Sequence, residues 1–404
     1  NLYALNHTMN KMFVIANWMQ GTGLSGGDRI FIELVKRWQA KLKITLILSK
    51  EGSAICQRQG LSNINQQIWV SDLMNRWGYL VDILYRTVNC AIKAFSVKTL
   101  SGDIIYSSSD FWPDSIPALI LKRRNPKTIW IAGFYLFAPK PWQKNSPYRG
   151  KSFLTGLLFW AGQLPAYFII QKFADIVFVT SQPDVDKFTT KVRPKEKVIV
   201  IRGGVDTVSA KNYLNSKDVI PPEKKTYDAC FVGRFHYQKG VLELIKIWDS
   251  VCLKNPQAHL VMIGDGPLYE DVTSLIKKLD LSKNISLVGF LDGPKKHEIF
   301  KQSRIILHPA TFDSGGMAAA EAMAWGLPGV SFDLNALKTY YPKGMLKTSC
   351  FDTNEFAMNI LSLLSNPLQY DAMSLDALKL VHEKWEWGNR AKEIFAKVML
   401  ENPE

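Results

Sequence analysis

Tyr227-Asp228-Ala229-Cys230-Phe231-Val232-Gly233-Arg234-Phe235-His236-Tyr237-Gln238-Lys239-Gly240 is the stretch on which the reading of this chain turns. An apolar run ends at a glycine, a loop follows with an Arg and a Lys five positions apart, and residues 241–251 then take up helical periodicity. That order is a buried strand passing through a loop into a helix. Apolar runs of the same kind recur downstream at 259–263, 285–287, 305–307 and 329–332, with helical spacing between them, as at 269–279. Upstream they recur at 12–17, 44–48, 104–107, 128–132, 176–180 and 198–201. The alternation predicts an α/β protein with parallel sheets. Residues 206–225 are polar, contain Pro221 and Pro222, and read as a linker. Residues 373–399 read as one amphipathic helix. At 404 residues the chain is too long for one ordinary core. Two doubly wound halves are expected, with a ligand cleft outside the carboxyl ends of the strands.

Composition narrows the class. Cys56, Cys90, Cys230, Cys252 and Cys350 are scattered, odd in number and free of any CxxC, which argues against a disulfide framework or a zinc site and for a reducing compartment. Residues 1–10 are polar and read as a leader or tag remnant, with no cleavable signal sequence expected. The net charge is +14, and it is unevenly placed: residues 1–205 hold 27 Lys and Arg against 12 Asp and Glu, whereas residues 206–404 hold 23 against 24. A basic half of this kind suits an anionic membrane or a nucleic acid.

The chemistry concentrates in the second half. Arg234 and Lys239, just past a strand end, suit a diphosphate, which asks for point charges and helix amides. Gly264-Asp265-Gly266-Pro267 is a tight turn opening a helix, and Val288-Gly289-Phe290 offers backbone groups and a ring edge to a nucleobase. The fullest constellation is His308-Pro309-Ala310-Thr311-Phe312-Asp313-Ser314-Gly315-Gly316-Met317-Ala318-Ala319-Ala320-Glu321. Two carboxylates eight apart flank a glycine loop at the start of a helix rich in small residues. Exposed amides there favour phosphate, and carboxylates accept from sugar hydroxyls.

These residues resemble family 4 glycosyltransferases, the retaining GT-B family within glycosyltransferase group 1. The resemblance is good over roughly 227–350 and loose elsewhere. It implies a GT-B fold, two Rossmann-like doubly wound domains facing across a cleft: an acceptor-binding domain at 1–205, a nucleotide-sugar-binding domain at 206–383, and a helix at 384–404 crossing back to the first. It implies that Arg234 and Lys239 stabilise the leaving diphosphate, that Asp313 contacts donor-sugar hydroxyls and Glu321 the ribose diol. The amides of Gly315, Gly316, Met317 and Ala318 would hold sugar and phosphates. The family usually has Glu where Asp313 stands, so this chain's reach is shorter by a methylene. No metal is implied, because the cations and amides neutralise the diphosphate, and no cofactor beyond the nucleotide-sugar substrate, with UDP or GDP as product.

In the first half, Gly21-Thr22-Gly23-Leu24-Ser25-Gly26-Gly27-Asp28-Arg29 follows the first strand, where the family places a Gly-Gly loop near the donor phosphate; Gly26 and Gly27 carry that resemblance. The same stretch spells G-x-G-x-x-G, with Glu51 past the second strand, so a dinucleotide fingerprint is the rival reading. It leaves the second-half motifs unexplained. The segments Ala174-Asp175 to Thr180-Ser181 and Arg202-Gly203-Gly204-Val205-Asp206 also resemble family segments. Family members often set a His near the donor sugar; here the matching residues are Ala132-Gly133-Phe134-Tyr135, which leaves Tyr135 or Asp110 to take that part.

Residues 152–171 carry no charge and are dominated by Leu, Phe, Trp, Tyr and Ile, after Lys140, Lys144, Arg149 and Lys151. A basic stretch beside an aromatic-rich apolar one suits lying in a membrane interface, more than spanning it between two strands of one sheet. The expectation is a hexosyltransferase drawing on a UDP- or GDP-sugar, with a glycan or lipid-linked acceptor. It would be peripheral to the cytoplasmic face of an anionic membrane through 140–171, and would bind no nucleic acid. A GT-B nucleotide-sugar epimerase and a non-catalytic sugar-nucleotide scaffold are the alternatives.

Overall fold

The computed structural model describes residues 11–20, 24–71, 79–144, 146–201, 203–312 and 316–400. The leader at 1–10, Gly21 to Gly23, Arg202, Asp313, Ser314 and Gly315 lie outside the described residues. The chain divides into two compact units. One is drawn from residues up to 138, from 157–203 and from 388 onward; the other from 139–156 and 204–387.

The first unit runs β1 (Lys11–Ala16), α1 (Gly26–Trp38), β2 (Lys43–Ser49), α2 (Lys50–Arg58), β3 (Asn65–Val70), α3 (Tyr79–Ala94), β4 (Ile104–Ser107), α4 (Trp112–Arg124), β5 (Ile129–Gly133), α5 (Phe153–Phe173), β6 (Ile176–Val179), α6 (Val185–Phe188) and β7 (Val198–Val200). Its strands pair in parallel in the order β3-β2-β1-β4-β5-β6-β7. The order reverses between β1 and β4, so the loops leaving those two strands open at a switch point. Central strands are apolar on both faces because helices cover both; β4 and β6 are buried throughout. On one face α3, α4 and α5 share a core with the sheet: Cys90 and Ala94, Ala118 and Leu121, Ile170 and Ala174 pack with Ile15, Ile105 and Val177.

The second unit runs α7 (Val208–Leu214), β8 (Tyr227–Val232), α8 (Val241–Lys254), β9 (Leu260–Ile263), α9 (Tyr269–Lys278), β10 (Ile285–Leu287), α10 (Gly293–Lys301), β11 (Ser303–His308), α11 (Met317–Met323), β12 (Gly329–Phe332), α12 (Asn335–Tyr340), β13 (Met345–Thr348), α13 (Thr353–Ser365) and α14 (Pro367–Lys384). Its parallel order, β10-β9-β8-β11-β12-β13, reverses between β8 and β11. Trp248 on α8 is fully buried against this sheet.

Three expectations from the sequence need correction. Two strands go unread there: β3, which opens with Asn65-Gln66-Gln67, and β13, with its half-buried Leu346 and Lys347. Both are outermost strands, which need burial on fewer sides. The expected linker holds the helix α7. The expected single helix over 373–399 is two, α14 and α15 (Trp387–Leu400). They break where Val205 N–H donates to the Trp385 carbonyl (2.6 Å) and Trp387 N–H to the Val205 carbonyl (3.3 Å). The Trp387 ring lies so close to Gly204 that a Cβ there would stand 2.4 Å from it. Within the first unit, α15 supplies the Ala391 carbonyl that accepts from the Trp38 indole N–H (3.1 Å).

Candidate functional site

The loops at the carboxyl ends of β8, β9, β10 and β11 are laced together by backbone hydrogen bonds. Gly233 N–H donates to the Ile263 carbonyl (3.0 Å), Phe235 N–H to the Asp265 carbonyl (2.9 Å), and Gly264 N–H to the Gly289 carbonyl (2.8 Å). Thr311 N–H donates to the Gln238 carbonyl (3.1 Å), with Phe312 N–H sharing that acceptor (3.3 Å). The sequence places glycines where the loops meet. A Cβ at Gly264 would stand 1.9 Å from the Gly233 carbonyl oxygen; one at Gly240, which is left-handed at φ +62°, would stand 2.0 Å from that of Pro309.

This lacing gathers most of the residues singled out in the sequence. Arg234 and Lys239 bracket His236, whose imidazole is pushed down to about 4 by burial and then by those two cations. The ring is therefore neutral near pH 7, and the loop's positive charge rests on Arg234, exposed, and Lys239, half-buried. Asp265 is exposed and accepts from Gly266 N–H (2.7 Å). Phe290 is 58% exposed past β10, a ring with an open face. Gly316 is left-handed at φ +86° and enters α11 through Met317 and Ala318. The Tyr341 hydroxyl donates to the Gly316 carbonyl and accepts from Ala320 N–H (3.0 Å).

Glu321 is buried on α11, and its carboxylate accepts from the Lys296 ammonium of α10 at 2.7 Å; Lys296 also pairs with Asp292 at 3.0 Å. Lys296 is a site residue the sequence conceals, because Pro294-Lys295-Lys296-His297 reads as a solvated charge run. Tyr148 is another. Its hydroxyl accepts from the Gln238 side-chain amide (3.3 Å), its ring meets His236 edge-on at 5.9 Å, and a Cβ at Gly156 would collide with it. Nothing in a segment so far from 238 in sequence signals that contact.

In the first unit, Ser25 caps α1 in a reciprocal box with Asp28, which fixes Gly26 and Gly27 in the first turn. The Tyr135 ring covers Gly27; a Cβ there would stand 2.7 Å from it. The Tyr135 and Tyr106 hydroxyls share a hydrogen bond of 2.6 Å. Asp110 is buried and accepts from the Gln163 side-chain amide (2.9 Å), and burial pushes its carboxyl up to about 6. Gln163 in turn accepts from Ala138 N–H (2.7 Å) and donates to the Leu136 carbonyl (2.7 Å). Asp114, not singled out in the sequence, is more deeply placed. It accepts from the amides of Asn17 (2.6 Å) and Trp18 (3.3 Å) at the end of β1, and burial pushes it up to about 7.

The family described as glycosyl transferases group 1 matches residues 214–379. That match takes in most of the second unit. The chain is 27% identical over 208 residues to an uncharacterised glycosyltransferase of Methanocaldococcus jannaschii, covering 50% of this chain and 53% of that protein. It is 21% identical over 174 residues to the phosphatidylinositol N-acetylglucosaminyltransferase gpi3 subunit of Schizosaccharomyces pombe, covering 42% and 38%. The chain thus spans about half or less of the length of these curated relatives. Among solved structures, the Anabaena protein HepE in complex with UDP and glucose superposes with a TM-score of 0.69 at 15% identity, over 96% of this chain and 99% of that one. At that identity the likeness speaks for the fold: two parallel α/β sheets of the GT-B type.

Proposed function

We propose that this chain is a retaining glycosyltransferase that moves a hexosyl group from a nucleoside diphosphate sugar to a glycan or lipid-linked acceptor at a membrane surface. The observation that carries the proposal is the placing of Arg234 and Lys239 in a loop bonded to residues 311–312, inside a group 1 domain. Such a pair suits a diphosphate leaving group. As the bond from the anomeric carbon to the diphosphate oxygen breaks, its electron pair stays on that oxygen, and the two cations stabilise the charge. The acceptor hydroxyl bonds to the same face of the sugar and its proton goes to the departing phosphate, so no protein nucleophile is needed. In this reading Glu321 receives the ribose diol in a direction set by Lys296, and Phe290 flanks the base. The amides of Gly315 to Ala318 and the carboxylate of Asp313 serve the sugar. The cations replace a metal.

The membrane part of the proposal rests on α5. It is long and apolar enough to cross a membrane by length and composition, and 22% of its most apolar window is buried, which is little for an ordinary core helix. An interfacial position on the cytoplasmic face fits that surface and the basic residues before it.

Calorimetry with UDP, GDP and their sugars in EDTA tests the donor site. One nucleotide class should bind in the micromolar range, and Lys239→Ala should weaken it at least tenfold. Failure of every nucleotide to bind would end the reading.

A further inference from the structure

We infer that the layer formed by α3, α4 and α5 in the first unit is a docking face for an anionic lipid surface, with α3 as its principal contact. The observation is an exposed apolar stripe on a surface helix. Leu80, Leu84, Val88, Ile92 and Phe95 recur at spacings of four and three along α3 and its exit, and each is between 50% and 65% exposed. The inner side of the same helix buries Ile83, Cys90 and Ala94 together with an ion pair, Asp82 with Arg86 at 2.9 Å, whose guanidinium also donates to the Asn17 carbonyl (3.1 Å). The helix is thus apolar on its outer side as well, and an exposed apolar stripe of this length marks an interaction surface.

The charges around the stripe name the occupant. Between residues 79 and 127 there are four acids, Asp82, Asp103, Asp110 and Asp114, and all four are buried. Of the cations in the same span, Lys93, Lys98, Arg123, Arg124 and Lys127 are exposed, whereas Arg86 is buried and Lys122 is half-buried beside Asp175 (2.7 Å). The exposed ones form a rim that carries on across the layer. Arg124 donates to the carbonyls of Ala94 (3.0 Å) and Val97 (3.1 Å) and stands 5.8 Å from the Phe95 ring. Arg123 and Lys172 each stand 5.3 Å from the Phe173 ring at the end of α5. Beside Lys93 and Lys98 lies an open hollow of about 380 Å³, bounded also by Phe13, Trp69 and Ser96. Apolar side chains entering the acyl boundary, with a cationic rim at headgroup level, is the arrangement of an interfacial helix on anionic lipid. A second copy of the chain suits the face less well, because a two-fold contact would set this rim against itself.

The inference rests on the membrane reading of α5 given above and is separable from it. Flotation with vesicles of phosphatidylglycerol and phosphatidylcholine, and of phosphatidylcholine alone, at low and high salt, is the experiment. The wild type should float with the anionic vesicles at low salt and much less with the neutral ones. Leu84→Gln/Val88→Gln/Ile92→Gln should lower its partitioning at least tenfold, while UDP affinity and near-ultraviolet circular dichroism stay unchanged. Phe168→Gln on α5 should lower it less. An environment-sensitive dye on Ile92→Cys, in a Cys350→Ser background, should shift to the blue on anionic vesicles. Several results would overturn the inference: wild type left in the bottom fraction, flotation lost only with Phe168→Gln, no dye shift, or a lipid-free oligomer that the α3 variant dissolves. Flotation that succeeds where nucleotides fail to bind would sink the donor reading alone.

Discussion

Lys296→Met removes the cation 2.7 Å from the buried carboxylate of Glu321. Breaking one side of a buried pair costs about 3–5 kcal/mol, whereas replacing both partners costs much less. Urea unfolding should therefore find Lys296→Met strongly destabilised and Lys296→Met/Glu321→Gln largely restored. His236 gives a prediction in pH. Its folded value, about 4, lies below the ordinary 6.5, first through burial and then through Arg234 and Lys239. Stability from the neutral ring is present above 6.5 and is lost as pH falls towards 4. His236→Gln should flatten that part of the pH profile, by an amount on the order of 1 kcal/mol once solvent screening is allowed for. At this scale the sequence discloses charge and spacing but not partners. Arg234 and Lys239 are legible because one loop holds both; Lys296 and Glu321 come together across two helices that only the folded sheet sets side by side.

At the scale of elements, glycine conformation separates positions that look alike in the sequence. Gly240 and Gly293 are both left-handed, at φ +62° and +56°, but a Cβ at Gly240 meets the Pro309 oxygen and one at Gly293 meets nothing within 4 Å. Gly293→Ala should cost about 1–2 kcal/mol, the backbone penalty alone. Gly240→Ala should cost more and also weaken UDP binding, because the loop carrying Lys239 must move; paired denaturation and calorimetry measure both. The strands of each sheet's middle are legible from apolar runs because parallel strands covered on both faces have little choice of residue. Edge strands β3 and β13 escape because a lone exposed face accepts Asn, Gln and Lys. The break between α14 and α15 escapes because it is imposed by Val205, far away in sequence.

For the whole molecule, the two cores predict separate responses to ligand. UDP at a hundredfold excess over its Kd should stabilise the second unit by about 2.7 kcal/mol. Hydrogen exchange in β8 and α8 should slow accordingly, with β1 and β4 unchanged. The division of the chain into two α/β halves is readable from the number and rhythm of strands; the return of residues from 388 onward to the first unit is expected only through the family resemblance, since no local pattern announces it. One contact of that return has a consequence for synthesis. Trp38 and the Ala391 carbonyl it donates to lie 353 residues apart. At about 5–20 residues per second, the indole of Trp38 waits roughly 20–70 seconds on the ribosome for its acceptor. The second unit is fully translated before that acceptor emerges, so the half of the protein made first is the half whose contacts are completed last.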